Sequence, residues 1–401
     1  TSRQTDRQTD RQRATIVARQ PYQLGTIFEH RKFFDIFRPH RTLGHRLPKP
    51  AGSHHKMPEH AARDDEVHND LVEHGHEFCF QHVLALRSNF SKLPDRDAGL
   101  GVPVLLVLAS CALCIGSLKG KNALGMDFLI PSQNYINNAS NYTPMAYSSF
   151  DIVATENNPN ITITPAGNIT GHAAGSTFTI VLNEGQTWSG TATSVVAAQH
   201  LHGSRVTSDK PVAVTVKDDL LHGVPFGGCA DLAGDQIVPV SLLGTEYIAM
   251  KGLLTNAGDQ LFITALQNGT TITHNGTLVA TINAGATHQL AVATPASYIQ
   301  TNNPVSVWQL SGIGCEVGAC QLPQIECTGS AAVSYTRATN TSLYFNLLVR
   351  NGGQGDFLVN GAAGVVTAGQ FTVVPNTGGN WYTAQVAIPL AAYPQGSVIN
   401  V

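Results

Sequence analysis

Along residues 125–401 apolar and polar positions tend to alternate with a period of two, and the three-to-four spacing of an amphipathic helix is absent. In Ser176-Thr-Phe-Thr-Ile-Val-Leu182, Phe178, Ile180 and Leu182 fall on one face while Thr177 and Thr179 fall on the other. That pattern predicts a half-buried strand, and Asn183-Glu-Gly185 supplies the turn that ends it. Similar runs predict strands at 150–155, 161–164, 205–207, 212–217, 246–251, 261–267, 270–274, 277–283, 287–292, 305–310, 331–337, 344–350 and 371–375. Asn-Gly, Gly-Gly and Asn-Pro pairs punctuate them, which is the texture of an all-β protein. Pro211 and Pro304 each precede a Val-x-Val run and are expected to open a strand, where no ladder donor is needed.

The pattern is also written more than once. Leu182-Asn-Glu-Gly-Gln-Thr187 returns as Ile282-Asn-Ala-Gly-Ala-Thr287, and Ser208-Asp-Lys-Pro-Val-Ala-Val214 returns as Thr301-Asn-Asn-Pro-Val-Ser-Val307. A fainter echo follows: Asn275-Gly276 and Ala284-Gly285 are matched by Asn360-Gly361 and Ala368-Gly369. Repetition at this length predicts a supersecondary unit used again, with copies at about 150–217, 261–310 and 344–401. Each copy carries enough alternating strands for a small antiparallel sandwich-like module, and tandem modules fit better than a solenoid of short repeats.

Charge separates this region from what precedes it. Residues 1–98 hold 16 Lys/Arg and 13 Asp/Glu, whereas residues 150–401 hold 6 and 13. The opening Arg3-Gln-Thr-Asp-Arg-Gln-Thr-Asp-Arg-Gln-Arg13 has no apolar residue to bury, and ten of the sixteen histidines fall in the same first 98 residues. These residues are expected to form a disordered, charged, His-rich tail. The mildly acidic remainder offers no basic stripe for a phosphate backbone, which argues against nucleic acid as a partner.

Between the two lies residues 99–118, a signal-like apolar segment centred on Leu100-Gly-Val-Pro-Val-Leu-Leu-Val-Leu-Ala-Ser-Cys-Ala-Leu-Cys-Ile115. Its length suits a secretory core better than a membrane span. Leu108-Ala-Ser-Cys111 resembles a lipobox, making Cys111 a candidate lipidation site and a lipid anchor one possible membrane tie; attachment to a larger parent protein is the other. Export would leave residues 1–98 outside the mature protein and place the remainder outside the cell or on its surface. The β domain proper is then 119–401.

Four cysteines follow the apolar segment, Cys229, Cys315, Cys320 and Cys327, and they allow three pairings. A Cys315–Cys327 bond would close a local loop and leave Cys229 for Cys320. No pair has the two-residue spacing of a zinc knuckle.

The stretches around these cysteines carry a resemblance. Phe226-Gly-Gly-Cys-Ala-Asp-Leu-Ala-Gly-Asp-Gln-Ile-Val-Pro-Val-Ser-Leu-Leu-Gly-Thr-Glu-Tyr-Ile248, with Ser208-Asp-Lys-Pro-Val-Ala-Val214, resembles the IgG Fc-binding protein N-terminal domain family. Gly314-Cys-Glu316, Gln321-Leu-Pro323 and Cys327-Thr-Gly-Ser330 are similar to its bacterial members. The resemblance spans roughly residues 120–401 and implies an extracellular, non-catalytic β module of cell-surface proteins. Fc binding is not implied, since no residue set here matches an Fc contact.

The densest polar grouping is Asp218, Asp219, His222, Asp231 and Asp235, read as a glycine-rich loop. Asp218, Asp219, Asp231 and Asp235 are hard oxygen donors and form the candidate calcium site, although their spacing fits no EF-hand and turn-capping is the commoner use. A glycosidase would need two carboxylates across a cleft, and Asp231 with Asp235 or Glu246 are the attractive pairs. No Gly-x-Ser-x-Gly elbow accompanies His200, His202 or His222. Trp188, Trp308 and Trp381 stand near matching places in the three copies and suit core packing before sugar stacking. The sequence therefore predicts a surface module for adhesion to proteins or glycans and not an enzyme, with a structural spacer and a carbohydrate-active enzyme as the rivals.

Overall fold

The computed structural model describes residues 14–19, 119–221, 231–254, 258–314, 316–327 and 332–401. The tail's histidine pairs, the apolar run, Cys111, His222, Cys229 and Cys315 lie outside the described residues. The described residues are all-β, with sheets curled into half-barrels and only short 3-10 turns between strands. No helix among them is long and apolar enough to cross a membrane. Ala14–Arg19, inside the tail expected to be disordered, is strand β1.

The first sheet is built from β2 (Gly125–Leu129), β3 (Ser148–Ala154), β4 (Asn160–Thr164), β5 (Phe178–Val181), β6 (Thr187–Thr191), β7 (Arg205–Leu221) and β8 (Asp231–Ile237). Its order is β5-β4-β7-β3-β6, with β2 and β8 also on β7. The second is built from β9 (Gly244–Met250), β10 (Leu253–Leu254), β11 (Asp259–Ala265), β12 (Thr270–His274), β13 (Thr277–Ile282), β14 (Thr287–Val292), β15 (Ala296–Gly314) and β16 (Glu316–Gln321). Its order is β13-β12-β15-β11-β14, with β9, β10 and β16 also on β15. Apart from β10, a two-residue strand without a counterpart, this is the topology of the first sheet, so the repeated sequence folds as a repeated sheet.

The two prolines occupy a different place from the one expected. Pro211 lies inside β7 and Pro304 inside β15, neither at a strand start. Each marks the point where a long strand changes partners. In β7, Arg205–Ser208 pair with β4 and Val212–Asp218 pair with β3; in β15, Ile299–Thr301 pair with β12 and Val305–Leu310 pair with β11. At such a changeover the missing N–H removes no ladder bond, which is why an interior proline is tolerated.

The third copy departs from the pattern. β17 (Ser334–Thr336) pairs with β21 (Val398–Asn400), while β18 (Tyr344–Arg350), β19 (Thr372–Val373) and β20 (Trp381–Ala387) join β1 in the order β1-β18-β20-β19. The turns nevertheless repeat: Asn275-Gly276 and Asn360-Gly361 both have positive φ at both residues, as a two-residue hairpin turn of the primed type demands.

The copies share cores. One apolar cluster joins Phe150, Ile152, Ile161, Val214 and Val216 of the first sheet to Phe262, Trp308, Leu310 and Val317 of the second. Another joins Ile248, Met250 and Tyr298 of the second to Leu348, Val374 and Trp381 of the third. Each copy also has apolar residues of its own inside, such as Leu261, Ile263 and Val307 in the second and Phe345, Leu347 and Val386 in the third. The modules are thus fused along buried apolar faces, which hold them in fixed relation.

Candidate functional site

The acidic cluster lies on strands, not in a loop. Asp218 on β7 stands opposite Ala233, just before the register shift, and Asp231 and Asp235 sit on β8. Asp and Gly are poor strand formers; here tertiary hydrogen bonds outweigh that. Asp231 and Asp235, four residues apart, share a face of β8, and each carboxylate accepts from a backbone amide of β16: Val317 N to Asp231 Oδ2 at 2.8 Å and Gln321 N to Asp235 Oδ2 at 2.9 Å. The equivalent last strands of two copies are thereby stitched side by side, edge to edge, across a sheet boundary. Lys119 completes the joint, pairing with the fully buried Asp235 carboxylate and donating from Nζ to Gln236 O at 2.5 Å.

Asp218 is engaged elsewhere. Its carboxylate accepts from Asn138 Nδ2 at 2.6 Å and from Asn134 Nδ2, and His200 Nδ1 lies 3.6 Å away. Burial pushes the His200 imidazole down to about 4, the neighbouring His202 adds to this, and the Val195 backbone offsets part of it. Burial lowers His202 as well. Asn138, in the Asn138-Ala-Ser140 triplet, is itself buried against this carboxylate.

Asp218, Asp231 and Asp235 therefore do not converge on one point: Asp218 is held by Asn134 and Asn138, the other two by β16 and Lys119. Among the described residues no group of three or more His, Cys, Asp or Glu side chains is placed to hold a metal ion. The side chain of Asp219 lies outside the described residues. Glu246 accepts from the Tyr298 hydroxyl at 2.7 Å, and burial with this carboxylate pushes the phenol upward. Cys320 is half-buried on β16 opposite Gln309, and the side chain of Cys327 lies outside the described residues.

The tryptophans are packing residues on non-equivalent strands. Trp188 on β6 tilts against Phe150 and Phe178, with ring centroids 6.0 and 5.7 Å away. Trp308 on β15 is fully buried, and Trp381 on β20 lies under the Arg350 guanidinium at 5.1 Å.

What remains for recognition is surface. A cleft of about 430 Å³ opens where the first two copies meet, lined by Leu129, Gly203, Arg205, Leu266, Ala284 and Gly285. The Asn283-Ala-Gly285 turn contributes Ala284 and Gly285 to its lining and lies close against the first copy: a Cβ on Gly203, whose φ is +82°, would stand 2.7 Å from Gly285 O. Arg205 on the rim donates to Asp127 at 2.5 Å, and both side chains are partly open to solvent. The outermost strands of the first two sheets each present apolar side chains to water, Val181 on β5 at 56 % and Leu278 on β13 at 62 %. The cleft has no signal in the sequence, because its lining of leucine, arginine, alanine and glycine is drawn from separate stretches of two copies.

A family model described as IgGFc binding protein matches residues 118–397, well over half of the chain. The match does not single out a bacterial type of member. No curated protein and no solved structure matches the chain.

Proposed function

The chain belongs to the IgG Fc-binding protein family, and from that membership we propose that it is an extracellular, non-catalytic module that adheres to proteins or glycans at a cell surface. The family match over residues 118–397 is the observation that carries this reading. The geometry is in keeping with it. The described carboxylates that a glycosidase would draw on are spent on backbone amides, a lysine and a tyrosine, while the cleft between copies and the apolar edge strands offer contact area without reactive groups. Disulfides Cys315–Cys327 and Cys229–Cys320 belong to the same proposal, since an extracellular setting favours oxidised cysteines, as does acylation of Cys111 in the lipobox-like Leu108-Ala-Ser-Cys111.

The test is binding of the full chain, oxidised and folded, to an array of secreted glycoproteins, mucins, polysaccharides and immunoglobulins. Saturable binding to a protein or glycan supports recognition, and substitutions at Arg205 or Leu278 should weaken it. Silence across the array from a folded sample would instead favour a spacer, a role that the fused cores between copies also suit. Peptide mapping without reductant checks the bonds: thiols at Cys315 and Cys327 would remove the pairing and count against the extracellular setting.

A further inference from the structure

In the first two copies the strand that opens the repeat is flanked on both sides by strands of its own copy. β3 lies between β7 and β6, and β11 lies between β15 and β14. β18 is their counterpart in the third copy, starting 85 residues after β11 (344 less 259) and, like it, seven residues long. The strand that should close its free side is β19, which follows Ala368-Gly369 as β14 follows Ala284-Gly285. β19 instead pairs with β20, Thr372 opposite Thr383 and Val373 opposite Tyr382. The third copy thus leaves one ladder of β18 unfilled by its own strands.

β18 is not built like an edge. Phe345, Leu347, Leu348 and Val349 are buried, with Phe345, Leu347 and Val349 in the third copy's core and Leu348 in the core shared with the second copy. A strand buried on both faces, with a row of amides and carbonyls along one side that its own copy leaves unpaired, is the arrangement that recruits a further strand. The structure also shows what kind of strand fits. β1 lies antiparallel on that side, from Ala14 opposite Val349 to Arg19 opposite Tyr344, and it comes from outside the span the family model matches.

We propose that this side of β18 is a strand-accepting site, which takes an extended protein segment by main-chain hydrogen bonding, and that β1 is its exchangeable occupant in the unprocessed chain. The inference rests on the protein-binding reading above and supplies its mode. The partner class is an extended, β-branched peptide segment resembling Ala-Thr-Ile-Val-Ala-Arg, since backbone pairing gives the affinity and alternate side chains the selectivity.

Hydrogen exchange of the full chain, read over residues 344–350, tests it. Successive residues of an antiparallel strand point their amides to opposite sides, so one of Ile16 and Val17 must address β18. The double substitution Ile16→Pro with Val17→Pro removes that donor. Exchange over 344–350 should then rise about tenfold or more, with β3 and β11 still protected. Adding a synthetic Ala-Thr-Ile-Val-Ala-Arg peptide should restore protection, and the same peptide with proline in place of both isoleucine and valine should not. Unchanged exchange in the double variant, or no rescue by the peptide, would overturn the proposal. Loss of protection in β3 and β11 as well would overturn it too, because β1 would then be an integral strand and not an exchangeable one. None of these readouts needs a natural ligand, so a negative result removes the strand-accepting edge and leaves the protein-binding reading to the array.

Discussion

His200 illustrates how a residue without a catalytic partner can still govern behaviour. Its imidazole is nearly buried beside Asp218 and His202 and is held neutral, with its pKa brought down to about 4 from an ordinary value near 6.5. Between those values the unfolded chain binds the proton that the folded chain refuses. Stability is therefore full above about pH 6.5 and declines as the pH falls toward 4, by at most on the order of 3 kcal/mol for this group. Chemical denaturation at pH 7 and pH 4.5 should show that decline, and His200→Gln should flatten it. A slope unchanged in the variant would assign the effect to other groups. Arg337 is a second such residue, fully buried and without a carboxylate partner among the described residues, and its guanidinium donates to the carbonyls of Thr339, Thr341, Ile388 and Tyr393. Neither role is visible in the sequence, because both depend on which backbone atoms the fold brings within reach.

At the level of elements, legibility followed local chemistry. The hairpin of β12 and β13 was readable almost to the residue, since the Asn275-Gly276 turn and the alternation around it are local signals. β8 was not: Asp231-Leu-Ala-Gly-Asp-Gln-Ile237 reads as a loop, and it is extended only because β7 pairs it on one side and β16 donates to its carboxylates on the other. The short strand β6 and the strand β20 were missed for lack of alternation in their composition. The β8–β16 joint also yields a prediction. Asp235→Ala leaves the Gln321 amide and the Lys119 ammonium without their buried acceptor, so urea denaturation should reveal a loss of about 3 kcal/mol. A loss under about 0.5 kcal/mol, the level of an ordinary surface change, would show that the carboxylate is not holding the joint.

Across the whole molecule, the repeat was legible as a repeat but its fusion was not. The cores that cross from first to second and from second to third copy are assembled from residues each of which reads as an ordinary interior position. Fusion predicts cooperativity. Gly203→Ala, placed where the first copy's backbone meets Gly285 of the second, forces a methyl group toward a carbonyl at a φ that disfavours it. Calorimetry should show the first two copies melting together at a lower temperature, in one transition. Two separated transitions would mean that the copies unfold as independent units.

The paired carboxylates on β8 bear on how such a molecule would respond to being pulled. Bonds between Asp231 and Val317 and between Asp235 and Gln321 run across the junction of two copies, four residues apart on both strands. A load that slides one copy past the other must break both together with the Lys119 contact, instead of opening them one at a time as in a zipper. A protein tethered at a surface and held by a bound partner would meet flow in that loading direction, as a stiff strut whose segments yield as one.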